Sequence, residues 1–137
     1  MKFISWNIRG INDPSKQQLM KNKISMENLT IIMLQERKCI NQTMNNIARK
    51  ILSGAKTIAI DASKASGGIS ILWDPNVIML DYFMATQRTL SSNYHIIGSK
   101  EKVFTTNVYG PQSVEQKISL VNISIGARIG TITTLGC

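Results

Sequence analysis

The first sixty residues alternate short apolar runs with longer segments in which apolar residues recur every three or four positions. The runs Lys2–Trp6 and Leu29–Leu34 have the length and continuous apolar character of buried strands, the second typical of a strand covered on both faces. Asp13 and Pro14 supply an N-cap and a first helical residue, which predicts a helix from Pro14 to about Glu27. We expect the side chains of Leu19, Met20 and Ile24 in this helix to face inward.

A second helix and a series of strands follow. Residues 42–53 carry apolar side chains at helical spacing and end at Gly54, which predicts a helix with a glycine stop. Turn signals at Ser66-Gly67-Gly68 and Asp74-Pro75-Asn76 separate strand-like runs. The predicted strands are Thr57–Ile60, Ile69–Trp73, Val77–Phe83, roughly Tyr94–Gly98 and Val103–Tyr109. Two strand–helix units followed by an antiparallel meander indicate a mixed sheet with helices on one face.

The pattern weakens after Ser113. Glu115–Val121 is compatible with a short helix, and Ile129–Leu135 alternates like a strand rich in threonine. No repeat, low-complexity tract or linker divides the chain. We therefore expect one domain over residues 1–137, with clear motifs to about residue 120 and a divergent segment at 121–137.

Composition narrows the class of protein. Hydrophobic residues make up 43% of the 137 and only three are proline, which argues against disorder. The run Leu29–Leu34 is far shorter than the roughly 20 residues that span a bilayer. Lys2 and Arg9 bracket too short an apolar stretch for a secretory signal. Two cysteines make no disulfide framework, so we expect a nuclear or cytoplasmic protein with no membrane partner.

The positive charge is concentrated in the first half of the chain. Residues 1–64 hold 11 Lys/Arg and 4 Asp/Glu, a net +7, whereas residues 65–137 hold 5 and 4, a net +1. Contacts of lysine and arginine with phosphates supply most sequence-independent affinity for nucleic acid, so a polyanionic partner is favoured. Lysine is also a common surface residue, and charge alone does not decide between these interpretations.

Polar side chains end two of the buried strands. Asn7 follows the first and Glu36 the second, and in open α/β sheets ligands bind at the carboxyl ends of strands. A carboxylate such as Glu36 is costly to bury unless it is paired or binds a metal, and Mg²⁺ takes carboxylates together with water and phosphate oxygens. Each residue also has a simpler interpretation. Glu36 would be an exposed partner of Arg37 or Lys38, and Asn7 a turn cap.

Two further residues are candidates for chemistry. Tyr109 ends a later strand, where its phenol can donate to a phosphate oxygen, although most strand-end tyrosines are packing residues. His95 is the single histidine and lies mid-strand, so we interpret it as structural. The sequence offers no Cys/His metal cluster, Walker-type phosphate loop or Ser-His-Asp arrangement.

Four segments, taken in order, resemble the endonuclease/exonuclease/phosphatase superfamily. They are Ile4-Ser-Trp-Asn-Ile-Arg-Gly10 with Asn12-Asp-Pro14, then Leu34-Gln-Glu-Arg-Lys38, Gly67-Gly-Ile-Ser-Ile-Leu-Trp73 and Asn107-Val-Tyr-Gly-Pro-Gln112. The chain looks most like the apurinic-endonuclease-like domain at the start of plant LINE-type (non-LTR) retroelement proteins. The resemblance covers roughly residues 1–120.

The resemblance implies an α/β fold of the four-layer sandwich type and hydrolysis of phosphodiesters with Mg²⁺ or Mn²⁺. It implies that Glu36 is the metal ligand and that Asn7 and Tyr109 are the catalytic residues beside the attacked phosphate. It also implies DNA as the partner, with substrate contacts from Asn7, Arg9, Lys38 and Tyr109.

Departures from the superfamily pattern are as informative as the matches. Arg9 stands where repair-type members have an acidic residue, which favours the retroelement branch, and Arg37 replaces a usual threonine. The Gly-Asp-x-Asn and Ser-Asp-His motifs, which supply further phosphate-site residues and the general-base pair, are absent from the sequence. We expect a domain truncated to roughly its first half and inactive alone. A half-sandwich would leave an apolar sheet face uncovered, with self-association as a consequence.

Three functions therefore remain open. The first is a DNA-nicking endonuclease domain of a retroelement, here incomplete. The second is a different phosphodiesterase or phosphatase of the same superfamily, against which the basic first half argues. The third is a non-catalytic nucleic-acid-binding remnant or a fragment without function.

Overall fold

The computed structural model describes residues 2–35, 41–60, 68–86, 89–109, 118–122 and 130–136. Side chains are described for those of these residues that lie between 2 and 108, with the exception of residue 41. The predicted elements up to residue 109 are all present, most of them with shifted ends. The strands are β1 (Lys2–Asn7), β2 (Leu29–Gln35), β3 (Lys56–Ile60), β4 (Ile69–Trp73), β5 (Ile78–Ala85), β6 (Thr89–Ile96), β7 (Lys102–Tyr109), β8 (Ile118–Asn122) and β9 (Gly130–Gly136). The helices are α1 (Pro14–Glu27) and α2 (Asn41–Ile51).

The first sheet has five strands in the order β3-β4-β2-β1-β8. Only β1 and β2 within it run parallel, because α1 carries the chain back between them. The buried residues of α1 and α2 pack on one face of this sheet, as predicted. That core consists of Ile4, Trp6, Ile8, Ile11, Met20, Ile24, Leu29, Ile32, Leu34, Met44, Ile47, Ala48, Ile51 and Leu72.

Helix α1 begins at the predicted cap. The carboxylate of Asp13 accepts hydrogen bonds from the backbone and the hydroxyl of Ser15 at 2.9 and 2.6 Å, which holds the pKa of the Asp13 carboxyl below its usual value. Met20 and Ile24 are buried, one turn apart, as predicted. The prediction was wrong for Leu19, which is 42% exposed, because it lies a third of a turn from Met20, off the line that meets the sheet.

The antiparallel meander forms a second sheet, so the mixed sheet with helices on one face that the element order predicted is the five-stranded sheet alone. The order of the second sheet is β5-β6-β7-β9. The chain crosses between the sheets in a turn after β4, where the backbone N–H groups of Val77 and Ile78 donate to the Asp74 carbonyl. Trp73 at the end of β4 then meets Tyr94 of β6 edge to face, with ring centroids 5.3 Å apart. The two sheets face each other across a second apolar core.

The predicted helix at Glu115–Val121 was wrong within the described residues. Residues 118–122 form β8, which pairs antiparallel with β1 and places Ile118 opposite Trp6. The unpaired edge of β1 offers a row of hydrogen-bonding groups, and satisfying them outweighs a weak local helical pattern. The predicted strand Ile129–Leu135 is confirmed as β9, parallel to β7.

Strand β5, at one edge of the second sheet, carries several exposed apolar residues. They are Met79, Tyr82, Phe83 and Met84. Together they form an exposed apolar surface, and self-association of the chain through this surface stays a prediction. Across the described ranges, neither helix has the length and apolar character needed to cross a membrane.

Packing of α1 on the first sheet is testable with two methionines of the same helix. Met20 is fully buried and Met26 is 79% exposed. We expect Met20→Ala to lower the free energy of unfolding by about 2–5 kcal/mol, because it leaves a cavity against the sheet. Met26→Ala should change it by less than about 0.5 kcal/mol. Urea unfolding of both variants measures the difference, and equal effects would contradict the described helix orientation.

Candidate active site at the strand ends

Parallel pairing puts the ends of β1 and β2 side by side. Asn7, the last residue of β1, is the register partner of Gln35, the last residue of β2. Ile4 and Trp6 belong to the helix-side core and Phe3 to the core between the sheets. By the alternation of a strand, Asn7 therefore faces the second sheet. It is only 2% exposed, so a ligand would reach it from the end of the strands.

A buried hydrogen-bond network joins the two sheets just behind this end. The side-chain amide of Gln35 donates to the Asn107 side-chain oxygen at 2.7 Å and to the Ser5 hydroxyl at 3.1 Å. The side-chain amide of Asn107 in turn lies 3.3 Å from the Leu34 carbonyl and 3.2 Å from the Ser70 carbonyl. Asn107 is fully buried, and its contacts tie β7 to β2 and β4.

The network fixes which end of the second sheet lies over the strand ends. Because Asn107 near the end of β7 contacts Gln35 at the end of β2, the two strands finish at the same side of the sandwich. Tyr109 is the last residue of β7, two positions beyond Asn107, so its backbone lies about 7 Å further along. The structure thus brings together the strand ends that carry Asn7 and Tyr109.

The turn after β1 is fastened to α1. The ammonium of Lys16 donates to the carbonyls of Ile8 and Arg9 at 2.7 and 3.1 Å, and the Ile8 N–H continues the β1–β2 pairing to the Gln35 carbonyl. Arg9 adopts φ 50° and Gly10 φ 101°, conformations that turn the chain sharply away from the sheet. Arg9 is consequently held beside the strand ends, partly exposed.

The remaining residues considered in the sequence are Glu36, Lys38 and His95. Glu36 and Lys38 lie outside the described residues, and in sequence they follow Gln35 directly. His95 pairs with Lys102 at the start of β7, the opposite end from Asn107, and its imidazole lies 2.7 Å from the Asp81 carboxylate. This position agrees with its interpretation as structural.

The chemistry of the strand ends suits a hard divalent cation. Asn7 offers a carboxamide oxygen, and Glu36, which follows the register partner of Asn7, offers a carboxylate. Mg²⁺ and Mn²⁺ prefer such oxygen donors. In the ranges that the structure describes, no group of three or more His, Cys, Asp or Glu side chains is placed to hold a metal ion. The role of Glu36 as a metal ligand stays a prediction.

No protein-family model and no curated protein matches the chain. Solved structures do. The fold is that of the endonuclease/exonuclease/phosphatase proteins. An endonuclease/exonuclease/phosphatase family protein from Bacteroides thetaiotaomicron superposes on this chain with a TM-score of 0.61 at 11% sequence identity, over 80% of this chain and 48% of the other. The human Nocturnin catalytic domain with bound sulfate gives 0.64 at 12%, over 83% and 51%.

A third match is to TDP2 from D. rerio in complex with a single-stranded DNA product, with a TM-score of 0.56 at 14% identity over 77% of this chain and 45% of the other. The chain thus spans about half the length of the structures it matches. These similarities confirm the α/β sandwich fold predicted from the resemblance.

Sequence reasoning assigned no role to the network of Ser5, Gln35 and Asn107. A signal was available, since Ser5 and Asn107 occupy inward positions of otherwise apolar or β-branched strands, and buried polar groups are almost always hydrogen-bonded. The partner of each, however, lies in a different part of the chain. Gln35 and Asn107 are 72 residues apart in sequence, so the pairing could not be deduced from spacing.

The network can be tested by a double-mutant cycle. We expect Asn107→Ala to lower the free energy of unfolding by about 2–3 kcal/mol, because it leaves Gln35 and two buried carbonyls without their donor or acceptor. The double variant with Gln35→Ala should show a coupling of at least about 0.5 kcal/mol in urea unfolding. Thr106→Ala, at the neighbouring half-exposed position of β7, is the control and should cost less than about 1 kcal/mol. Additive effects of the first two changes would contradict the direct bond.

Proposed function

We propose that this chain supplies the metal- and phosphate-binding residues of a divalent-metal-dependent phosphodiesterase that nicks DNA. The observation that carries the proposal is the convergence of the ends of β1, β2 and β7 behind the Gln35–Asn107 hydrogen bond. Those ends carry Asn7 and Tyr109, and Glu36 follows one of them. Similarity in fold to the endonuclease/exonuclease/phosphatase proteins supports hydrolysis of phosphate esters.

Each residue has a separate task in the proposal. Glu36 would hold the ion, which would polarise a phosphoryl oxygen and stabilise the leaving oxyanion. Asn7 and Tyr109 donate hydrogen bonds to oxygens of the attacked phosphate and orient it. Arg9 and Lys38 attract the flanking phosphates of the strand.

The sequence contains neither the Gly-Asp-x-Asn motif nor the Ser-Asp-His motif, the second of which would supply the general-base pair. Without a base, the attacking water keeps its proton and the chemical step is slow. We therefore propose that these residues bind DNA and metal but do not by themselves complete hydrolysis.

DNA is favoured over other phosphate esters by charge. The net +7 of residues 1–64 suits a polyanion, and the similar TDP2 structure contains a single-stranded DNA product. Within this proposal, the Trp6-Asn7-Ile8-Arg9-Gly10 string favours the endonuclease of a LINE-type retroelement. The competing proposal is a non-catalytic nucleic-acid-binding protein, which would bind DNA without using Glu36 for a metal.

Metal binding separates these two proposals. We expect Mn²⁺ to broaden the amide NMR signals of Asn7 and Ile8 by paramagnetic relaxation, and Glu36→Ala to abolish the broadening. Glu27 provides the control carboxylate, because it pairs with Lys2 at 3.1 Å at the opposite end of the sheet. Glu27→Ala should leave the broadening unchanged. Broadening at Asn7 that survives Glu36→Ala would contradict the proposed ligand. If Mn²⁺ causes no broadening at Asn7 in the unchanged chain, the non-catalytic alternative is favoured.

Affinity for DNA should depend on salt through the proposed phosphate contacts. We expect the logarithm of the association constant to fall linearly with the logarithm of salt concentration. Arg9→Gln and Lys38→Gln should each reduce the slope by about one. Lys100→Gln, which removes an exposed charge in the turn between β6 and β7, should leave it unchanged. Fluorescence anisotropy with a duplex oligonucleotide measures the slopes, and equal reduction by all three changes would indicate unspecific attraction.

A further inference from the structure

A separate pocket of about 510 Å³ opens at the other end of the first sheet. It lies between α2, the start of β3 and the start of β5. Trp73, which lines it, pairs with Ile31 of β2, whereas the strand-end site lies at Gln35, four residues or about 13 Å further along β2. Its volume falls within the roughly 300–1,000 Å³ of small-molecule sites. The pocket is therefore distinct from the candidate active site.

Two cations and an amide line the pocket. Arg49 and Asn45 lie one turn apart on α2 and so share a face, and Lys56 begins β3. Neither Arg49 nor Lys56 forms an ion pair or side-chain hydrogen bond within the described part of the chain. The Thr57 hydroxyl donates to the Asn45 side-chain oxygen at 2.5 Å, which leaves the Asn45 amide N–H groups as donors for a ligand.

Most of the remaining lining is apolar. Ile58, Ile78 and Leu80 line the pocket together with Trp73, which is only 3% exposed. Lys56 pairs directly with Trp73 in the β3–β4 ladder, so the cationic and apolar parts adjoin. No carboxylate lines the pocket among the described residues. A ligand that fits both parts has an anionic group joined to an apolar or planar one.

We propose that this pocket binds a nucleotide unit, with the phosphate between Arg49 and Lys56 and the base or sugar against the apolar wall. Arginine and lysine form charge-assisted hydrogen bonds with phosphate oxygens, and the Asn45 amide adds a donor. The proposal does not rest on the hydrolytic function, because none of the residues involved lies at the ends of β1, β2 or β7.

The test is a titration of the isotope-labelled chain with thymidine 5′-monophosphate, followed by the amide NMR signals of Thr57 and Met79. We expect saturable shifts at these residues and weaker binding of inorganic phosphate, which lacks the apolar part. Arg49→Gln with Lys56→Gln should weaken nucleotide binding by roughly ten-fold or more, since two charge-assisted contacts are lost. Both positions are exposed, and Arg49→Gln alone serves as a milder second variant.

The matched control is Lys50→Gln, because Lys50 is exposed beside Arg49 in the last turn of α2 but does not line the pocket. It should leave the affinity for the nucleotide unchanged.

A hexathymidylate that binds more tightly than the mononucleotide would identify a DNA strand as the source of the bound nucleotide unit, and equal binding would identify a free nucleotide. Shifts confined to residues 7–10, or an affinity that the double variant does not change, would overturn the proposal. These readouts report on Thr57 and Met79, so they stay independent of any failure at Asn7.

Discussion

The hydrogen bond from Gln35 to Asn107 is the contact on which the proposed site depends. Both side chains are buried between sheets, where an unsatisfied amide costs about 1–3 kcal/mol. Separating the ends of β2 and β7 would therefore lower the stability of the sandwich. Apolar packing between the sheets is non-directional and would tolerate sliding, whereas a buried amide pair permits only one alignment.

That alignment has a chemical consequence. Asn7 is held against the end of β2 by register, and the end of β7 is held over it by Asn107. The ends of three strands from distant parts of the chain thus lie at the same side of the sandwich. Lys16 completes the arrangement, because its ammonium donates hydrogen bonds to the carbonyls of Ile8 and Arg9 and so holds the backbone of Arg9 beside the strand ends.

Local sequence patterns predicted the elements well and their assembly less well. Asp13 and Pro14 located the start of α1, because capping is chemistry within one turn. The division into two sheets, and the strand at residues 118–122 where a helix was predicted, depend on which edge each segment meets. The positions of Asn7 and Tyr109 followed from motif order and strand ends. Gln35 as the link between the sheets did not, since its partner lies in a remote strand.

The central proposal is that this chain binds metal and DNA phosphate but does not by itself supply the base that activates water. Nicking of supercoiled plasmid by the purified, folded chain tests it most directly, with Mg²⁺, with EDTA and with Glu36→Ala. The account predicts no Mg²⁺-dependent nicking above the background of Glu36→Ala, although the plasmid is bound. Mg²⁺-dependent nicking that Glu36→Ala abolishes would contradict it, and would mean that these 137 residues already contain a sufficient catalytic site.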